Sequence, residues 1–288
     1  MERIRSSIKT WFVFVKFEHT IFALPFAYMG AILAEKGIPP LSKWVWITLA
    51  MIGARTAGMS LNRIIDREMD AKNPRTKDRA LQKGTIRLSR AKLLVVFSIL
   101  LLVFAAWRLN PLCLILSPVA LFFLATYSYM KRFSWTTHFV LGGVLACAPV
   151  GGWLAVRGHF ALLPLFLGGV VLFWVAGFDV IYTCQDVSFD REAGIHSLPV
   201  RMGIEGALFF STVFHLISLL FLLGVGVLEH LGFIFWIGWM VVSLILLIEH
   251  WMISPRDLSR VNQAFFVMNG WVSVVLFAAI FVDSVWFR

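Results

Sequence analysis

The most regular feature of the sequence is a series of long apolar segments separated by short polar ones. Nine segments can be drawn, at about residues 17–35, 43–63, 92–109, 111–129, 135–156, 161–183, 206–228, 232–250 and 264–284. Each approaches the ~20 residues that an α-helix needs to cross about 30 Å of hydrocarbon. The pattern predicts an all-α polytopic membrane protein with about nine transmembrane helices. No linker interrupts it, so residues 1–288 are predicted to form a single domain.

The amino-acid composition also indicates an integral membrane protein. Of 288 residues, 59% are hydrophobic and only 15% are charged, whereas a soluble protein of this length needs far more polar surface. Twelve Trp and twenty-seven Phe suit lipid contact and interfacial belts. The first apolar segment has no A-x-A cleavage site after it, so we expect it to be a retained helix. Cys113, Cys147 and Cys184 form no CxxC or metal-ligand pattern, and no disulfide is expected.

The distribution of basic residues predicts the orientation of the chain. With the N-terminus in the cytoplasm, cytoplasmic segments carry twenty Lys and Arg residues and outer segments carry five. This asymmetry follows the positive-inside rule and places the two long loops, at about 62–91 and 184–205, in the cytoplasm. Topology therefore accounts for most of the formal net charge of +10, and nucleic acid is not an expected partner.

Each of these two loops opens with a ladder of polar residues spaced by four. The first, "NRIIDREMD" at 62–70, contains Asn62, Asp66 and Asp70, and the second, "YTCQDVSFD" at 182–190, contains Tyr182, Asp186 and Asp190. Side chains four residues apart lie on one face of a helix, and Asp179 precedes Asp186 by two turns on nearly the same face. The offset of 120 residues between the ladders hints at an internal repeat.

Several carboxylates facing one space near a membrane need positive charge between them. Mg²⁺ meets that need, because it accepts carboxylate oxygens and prefers to share its shell with phosphates. The segment "AKNPRTKDRALQKG" then supplies the bases that a phosphate requires: Lys72, Arg75, Lys77, Arg79 and Lys83. The combination indicates a diphosphate site. The alternative is that the acids and bases pair with each other on a solvated loop.

Three segments resemble the signatures of one family, the UbiA-type intramembrane aromatic prenyltransferases. "NRIIDREMDAKNPRTKDRAL" and "DVIYTCQDVSFDREAGIHSLPVRMG" are similar to its two aspartate-rich motifs, and "YSYMKRFS" at 127–134 is similar to its Tyr-x-x-x-Lys segment. The motifs follow spans two, four and six, as in the family, and the resemblance covers nearly the whole chain. In many members the first motif reads Asn-Asp-x-x-Asp-x-x-x-Asp. Here Arg63 replaces the first Asp, which removes one possible metal ligand.

The resemblance implies a UbiA-like fold of nine helices around a central cavity that opens laterally to lipid. It implies a polyprenyl diphosphate donor, an aromatic acid acceptor and Mg²⁺. Carried over by residue, it implies that two Mg²⁺ are held by Asn62, Asp66, Asp70, Asp186 and Asp190, with Asp179 as a further ligand. The four aspartates Asp66, Asp70, Asp186 and Asp190 are thereby the predicted catalytic residues. It also implies that the diphosphate is bound by Arg75, Lys131 and Arg79.

Four other residues are predicted to contact substrate: Tyr127, Arg55, His19 and Tyr182. Arg55 lies inside the second span, where a charge is costly in lipid, and seven residues before Asn62 on a similar helix face. We expect it to face the cavity, where it binds an acceptor carboxylate or pairs with an acid. His19, in "KFEHTIFALPFA", is expected either to meet the diphosphate or the acceptor, or to belong to an interfacial cluster that positions the first span.

Paired glycines and scattered histidines receive simpler interpretations. Gly142–Gly143, Gly151–Gly152 and Gly168–Gly169 predict close helix packing, with passage of a flat aromatic or prenyl group as the alternative. Five histidines show no ligand spacing and are expected to be interfacial or loop residues: His138, His196, His215, His230 and His250.

Together these features predict a Mg²⁺-dependent polyprenyltransferase of quinone synthesis in a bacterial inner membrane, with its site toward the cytoplasm. The first choice of acceptor is 4-hydroxybenzoate, for ubiquinone, and the second is a dihydroxynaphthoate, for menaquinone. A cation-coupled transporter is the rival from another class, but a cation path gains nothing from Arg75, Arg79 and Lys131 beside its acids. A lipid-diphosphate phosphatase would need a His or Ser cluster that the sequence lacks.

Overall fold

The computed structural model describes residues 2–16 and 20–287, and the side chains of 9–16 and 23–287. The described residues form an all-helical bundle. The helices are α1 (Glu2–Val15), α2 (Thr20–Glu35), α3 (Leu41–Ile65), α4 (Arg67–Lys72), α5 (Leu88–Leu109), α6 (Pro111–Met130), α7 (Thr137–Arg157), α8 (Leu162–Thr183), α9 (Val187–Glu192), α10 (Leu198–Leu228), α11 (Phe233–Trp251), α12 (Val261–Gln263) and α13 (Asn269–Trp286). A 3₁₀ turn, Cys184–Asp186, joins α8 to α9, and a π-helical turn, Ala264–Met268, precedes α13.

Over the residues that the structure describes, each of the nine predicted apolar segments coincides with a helix. Among the described residues, seven helices are long and apolar enough to cross a membrane: those that begin at Leu88, Pro111, Thr137, Leu162, Leu198, Phe233 and Val261. The apolar part of α2 is shorter, and α3 carries Lys43, Arg55 and Arg63, yet both pack inside the bundle, α2 against α7 and α3 against α5. The protein is thus a multi-pass membrane protein, and its described helices agree with a count of about nine.

Large apolar side chains cover the outside of the bundle. Leu41, Leu220, Phe233 and Trp251 are each more than 60% exposed. Exposed apolar surface on this scale is unfavourable in water and is natural against lipid. The best-buried helix is α8, which packs between α7 and α10 and contributes Leu167, Val175 and Ile181 to the core.

Glycines let α7 approach its neighbours closely. A Cβ on Gly142 would collide with the carbonyl oxygen of Leu172 on α8, and one on Gly152 would collide with that of Ala27 on α2. The packing prediction is therefore confirmed for these two positions. Nothing lies within 4 Å of a Cβ built on Gly143 or Gly151.

The two acid ladders begin where long helices end, at one end of the bundle. α3 stops at Ile65, but the backbone N–H of Asp66 still donates to Asn62 (2.9 Å) and that of Asp70 to Asp66 (2.8 Å). The predicted four-residue spacing is therefore kept through the bend. At the second ladder, the tighter 3₁₀ turn after α8 leads into α9, which carries Asp190.

Candidate active site

A cavity of about 960 Å³ lies at the end of the bundle where the ladders begin. Its walls come from α3, α6, α7, α8 and α9, and the irregular segment 73–87 closes over part of it. The structure brings together the following predicted site residues in its lining: Arg55, Asn62, Asp66, Asp70, Arg75, Arg79, Tyr127, Lys131, Asp179, Tyr182, Asp186 and Asp190. His19 lies outside the described residues, so its role stays a prediction.

Asp66 occupies the centre of the first ladder and is only 2% exposed. Its Oδ2 accepts hydrogen bonds from Lys131 Nζ at 2.6 Å and Asn62 Nδ2 at 2.8 Å. Its Oδ1 is buried without a hydrogen-bond partner, and Arg132 Nη2 lies 3.8 Å away. Burial raises the pKa of Asp66 above its ordinary value, although the nearby Lys131 ammonium opposes this shift. One oxygen of this buried carboxyl is thus held by two hydrogen bonds, and the other accepts none from the described residues.

The segment after the first ladder folds back over it. Asp70 accepts from Arg79 Nη1 at 2.5 Å, and its backbone carbonyl accepts from Thr76 Oγ1 at 3.0 Å. These contacts place the basic residues of segment 73–87 above the acids of α3 and α4. Ion pairs of this kind, inside a cavity, hold both partners in position.

Arg75 joins the first motif to the second. Its guanidinium donates to both oxygens of Asp186, from Nε at 3.0 Å and from Nη2 at 2.5 Å, and Nη1 donates to the hydroxyl of Tyr182 at 2.8 Å. Asn73 Nδ2 also approaches Asp186 Oδ1 at 3.4 Å. The two ladders therefore lie across one cavity. Their acids and bases do pair with each other, as the alternative anticipated. The pairs of Arg75, Arg79 and Lys131 lie within the cavity, whereas Lys83 pairs with Asp78 at 3.2 Å through exposed side chains of the loop.

Asp179 is held by a histidine that sequence reasoning placed at an interface or in a loop. His138 lies in α7, is 2% exposed, and its Nε2 accepts from the backbone N–H of Leu198 at 3.2 Å. Its Nδ1 therefore carries the proton and donates to Asp179 Oδ2 at 2.7 Å. The prediction for His138 was wrong because its partners come from distant parts of the chain.

The prediction of an interfacial or loop position is also wrong for His215 and His250. His215 is 2% exposed in α10, and its Nδ1 lies 2.9 Å from Nε2 of His250 in α11. His215 is buried and His250 is half-buried between the helices, and each supplies a hydrogen-bond partner that the other needs inside an apolar bundle. His196 and His230 lie in connections, as predicted.

An aromatic wall and a smaller apolar pocket extend from the polar end. Trp174, Phe178 and Phe265 line the cavity, and Trp174 Nε1 donates to Asn269 Oδ1 at 2.7 Å. A neighbouring apolar pocket of about 280 Å³ shares Arg55 and Leu145 with the cavity. The site thus joins a charged mouth to an apolar interior.

Sequence reasoning missed several residues that line or support this site: Asn73, Ser128, His138, Trp174 and Asn269. Asn73 had a local signal, because it stands in "NPRT" between the first ladder and Arg75. Ser128, which accepts a hydrogen bond from Asn62 Nδ2 at 3.3 Å, and Trp174 had none, since polar and aromatic side chains are common in such spans.

The oxygen ligands fit a hard divalent cation, although they do not form a ready-made site. Asp66 Oδ1 is buried and unpartnered, and the surrounding ligands are carboxylate and amide oxygens, which Mg²⁺ prefers. Within the described part of the chain, no group of three His, Cys, Asp or Glu side chains is already arranged around one point. The carboxylates instead contact Arg75, Arg79 and Lys131.

The fold and the cavity define a class: a multi-pass helical membrane protein with a polar, acid- and base-lined chamber at one end. The chain belongs to the UbiA prenyltransferase family, whose model matches residues 23–273.

Relatives and solved structures agree with this membership. The chain is 30% identical to 4-hydroxybenzoate octaprenyltransferase of Nitrosospira multiformis, over 88% of this chain and 87% of the relative. It is 31% identical to the protein of that name from Aromatoleum aromaticum, over 88% and 86%. A UbiA homologue from Aeropyrum pernix K1 has 35% identity and a TM-score of 0.85, covering 92% of this chain and 98% of that one. An Archaeoglobus fulgidus homologue bound to DMAPP and Mg²⁺ shares the fold, at 18% identity, a TM-score of 0.66 and coverage of 93% and 99%.

Proposed function

We propose that this prenyltransferase transfers a polyprenyl group from polyprenyl diphosphate to a ring carbon of 4-hydroxybenzoate. The name shared by the curated relatives supports the acceptor and the reaction. The single observation that carries the proposal is the contact of Arg75 with Asp186 and Tyr182, since it sets both aspartate ladders around one cavity. We further propose that the chain lies in a bacterial inner membrane with this cavity toward the cytoplasm, on the strength of its basic loops.

The diphosphate head is proposed to bind at the charged mouth. Mg²⁺ would be held by Asn62, Asp66 and Asp70 on one side and Asp186 and Asp190 on the other, where it would neutralise the charge of the leaving diphosphate. Arg75, Arg79 and Lys131 would then turn from the carboxylates to the phosphate oxygens. The Archaeoglobus fulgidus homologue, which shares the fold, is bound to DMAPP and Mg²⁺, and this supports a prenyl diphosphate and Mg²⁺ as the proposed ligands.

The acceptor and the prenyl chain are proposed to occupy the deeper part of the cavity. Arg55 lies about two helical turns below Asn62, and its Nε has no hydrogen-bond partner among the described residues. A buried guanidinium in this position suits the carboxylate of an aromatic acid. The adjoining apolar pocket, lined by Ile47, Leu102 and Phe123, suits part of an isoprenoid tail.

The chemistry we propose follows from the order of charges along the cavity. As the allylic C–O bond breaks, Arg75, Arg79 and Lys131 stabilise the negative charge that develops on the diphosphate. The ring carbon ortho to the phenol attacks C1 of the delocalised prenyl cation, and a new C–C bond forms. The surrounding apolar walls, including Trp174 and Phe178, exclude water that would otherwise capture the cation.

Loss of the ring proton completes the substitution, and we assign that proton to Asp179. Asp179 lines the cavity, and the N–H of His138 fixes one of its oxygens, while the other accepts no hydrogen bond from the described residues and can take a proton. This assignment uses Asp179 as a base, in place of the metal ligand that the resemblance implied.

A direct assay tests the function. Purified protein in detergent is given Mg²⁺, an octaprenyl diphosphate and a panel of aromatic acids, and products are identified by mass spectrometry. We expect one prenyl chain on 4-hydroxybenzoate, attached to carbon. Turnover only with a dihydroxynaphthoate would overturn the choice of acceptor. Absence of transfer to every acid, from protein that is folded by thermal scanning, would overturn the reaction itself.

A further inference from the structure

Arg63 carries a buried positive charge that none of the roles assigned so far uses. It stands in α3 directly after Asn62, is 5% exposed, and lines the cavity. Its Nε and Nη1 are buried and have no hydrogen-bond partner, and it takes part in no ion pair among the described side chains. Guanidinium groups almost never persist in such surroundings unless something satisfies their donors.

The acids nearby are already engaged. Asp70 Oδ2 is held by Arg79 at 2.5 Å, and Asp66 Oδ2 is held by Lys131 at 2.6 Å. Among the described residues, the remaining oxygen of Asp66 accepts no hydrogen bond, and its neighbouring cation, Arg132 Nη2, lies 3.8 Å away. The cavity thus holds a buried carboxylate oxygen without a hydrogen-bond donor and a buried guanidinium without an acceptor among those residues. A metal diphosphate would supply a metal ion to the first and phosphate oxygens to the second.

We propose that Arg63 binds a phosphate oxygen of the diphosphate, as a residue that determines how tightly the donor is held. This inference rests on the proposed function. The planar guanidinium of Arg63 leaves N–H donors at Nε and Nη1, on two different edges, without a partner among the described residues, and charge-assisted hydrogen bonds to phosphate oxygens would satisfy them.

Position along α3 favours the diphosphate over the acceptor carboxylate. Arg63 belongs to the charged mouth, where Asp70 and Arg79 are its electrostatic neighbours. Arg55 lies eight residues earlier on the same helix, about 12 Å deeper along its axis. The carboxylate of the acceptor therefore has its own arginine, and Arg63 faces the donor head.

The test measures pyrophosphate binding by calorimetry, in Mg²⁺ buffer, on detergent-solubilised full-length protein. We expect Arg63→Gln to weaken pyrophosphate binding by about tenfold or more, the loss typical of a charge-assisted hydrogen bond. Arg63→Lys keeps the charge without the planar fork and is expected to fall between Arg63→Gln and the unmodified protein. Arg67→Gln is the matched control, because it removes the same charge four residues later from an exposed side chain that does not line the cavity.

Thermal stability without ligand separates binding from a structural role. Since Gln removes an unpaired buried charge, Arg63→Gln is expected to melt at the same temperature as the unmodified protein or higher, with a smaller rise on adding pyrophosphate. A lower melting temperature with unchanged pyrophosphate affinity in Arg63→Lys would make Arg63 structural and overturn the inference.

A parallel titration with 4-hydroxybenzoate shows whether Arg63 binds the diphosphate or the carboxylate of the acceptor. Weaker 4-hydroxybenzoate binding with unchanged pyrophosphate binding in Arg63→Gln would assign Arg63 to the acceptor and overturn the inference. Weaker pyrophosphate binding in a protein that prenylates no acid would leave Arg63 as an anion-binding residue and remove the proposed function. Unmodified protein that binds no pyrophosphate would remove both.

Discussion

At the scale of single residues, the site is organised by carboxylates whose two oxygens have different surroundings. Asp66 Oδ2 contacts Lys131 and Asn62, while its Oδ1 is buried and unpartnered. Asp179 Oδ2 contacts His138, and its other oxygen accepts no hydrogen bond from the part of the chain that the structure describes. In both residues one oxygen fixes the geometry of the side chain and the other is left for chemistry. This division explains how a buried anion can be both rigid and reactive.

Asp66→Asn tests the carboxylate at the centre of the first ladder. The amide keeps the shape but loses the charge, so we expect prenyl transfer to fall at least about a hundredfold. Stability should fall by about 1–3 kcal/mol, because Lys131 loses its ion pair. Steady-state assays and thermal scanning measure the two effects. Glu68→Gln, an acid on α4 whose side chain is 88% exposed, is the control and should behave like the unmodified protein. Undiminished turnover of Asp66→Asn would refute its place in the donor site.

Asp179→Asn tests the proposed proton acceptor. Its amide oxygen still accepts from His138 Nδ1–H, so the fold should be retained, but the basic oxygen is lost. General-base catalysis contributes about 10²–10⁴-fold, so we expect kcat to fall by about that range while KM for both substrates changes little. A deuterated ring position should then give a larger kinetic isotope effect than in the unmodified protein. A rise in KM for the diphosphate with unchanged kcat would instead favour a metal-ligand role.

At the scale of the helices, close packing and local distortion place these residues. Asn269 follows the π-helical turn Ala264–Met268, and its side chain links Trp174 in the cavity wall to the fully buried Glu249 (Nδ2 to Oε1, 3.4 Å). π-helical turns often occur at functional positions because they re-aim side chains. Here the turn places Asn269, at the start of α13, where it accepts a hydrogen bond from Trp174 of α8.

Gly152→Ala tests the contact of α7 with α2. The added Cβ meets the carbonyl oxygen of Ala27, a backbone atom that cannot move aside without shifting a helix. We expect a loss of about 1–3 kcal/mol, seen as a lower melting temperature in detergent. Gly143→Ala lies in the same helix with nothing within 4 Å of its Cβ, and should be neutral or slightly stabilising. Equal melting temperatures for the two variants would disprove the close contact.

At the scale of the whole molecule, the bundle separates a charged end from an apolar body. Both ladders, Lys131 and segment 73–87 converge at one end, while most of the exposed apolar side chains lie along the sides. A ligand with an ionic head and a hydrocarbon tail can therefore keep each part in its preferred medium. The basic loops predict that the charged end faces the cytoplasm.

Cysteine labelling tests this orientation. The three native cysteines are first replaced by serine. Single cysteines are then introduced as Arg191→Cys, at an exposed position near the charged end, and as Arg157→Cys, at an exposed position at the opposite end of α7. We expect a membrane-impermeant maleimide to label position 157 in spheroplasts, and position 191 only after the membrane is opened. The reverse pattern would invert the predicted topology.

Three properties can be predicted from the amino-acid sequence alone: the helical membrane architecture, the approximate limits of the apolar segments, and the four-residue spacing of both ladders. These properties depend on local composition and on a spacing of four residues, which hydrogen bonds such as Asp66 to Asn62 preserve even where α3 bends. The sequence is compatible both with a metal and phosphate site and with ion pairs between the acids and the bases.

The partners of those residues, in contrast, follow from the packing of the folded chain. Arg75 reaches Asp186 across 111 positions, Lys131 reaches Asp66 across 65, and His138 reaches Asp179 across 41. Such pairs depend on which helices pack together, and no local pattern encodes that. For the same reason the burial of His215 and the unpaired guanidinium of Arg63 could not be read from the sequence, because burial is a property of the neighbours that packing supplies.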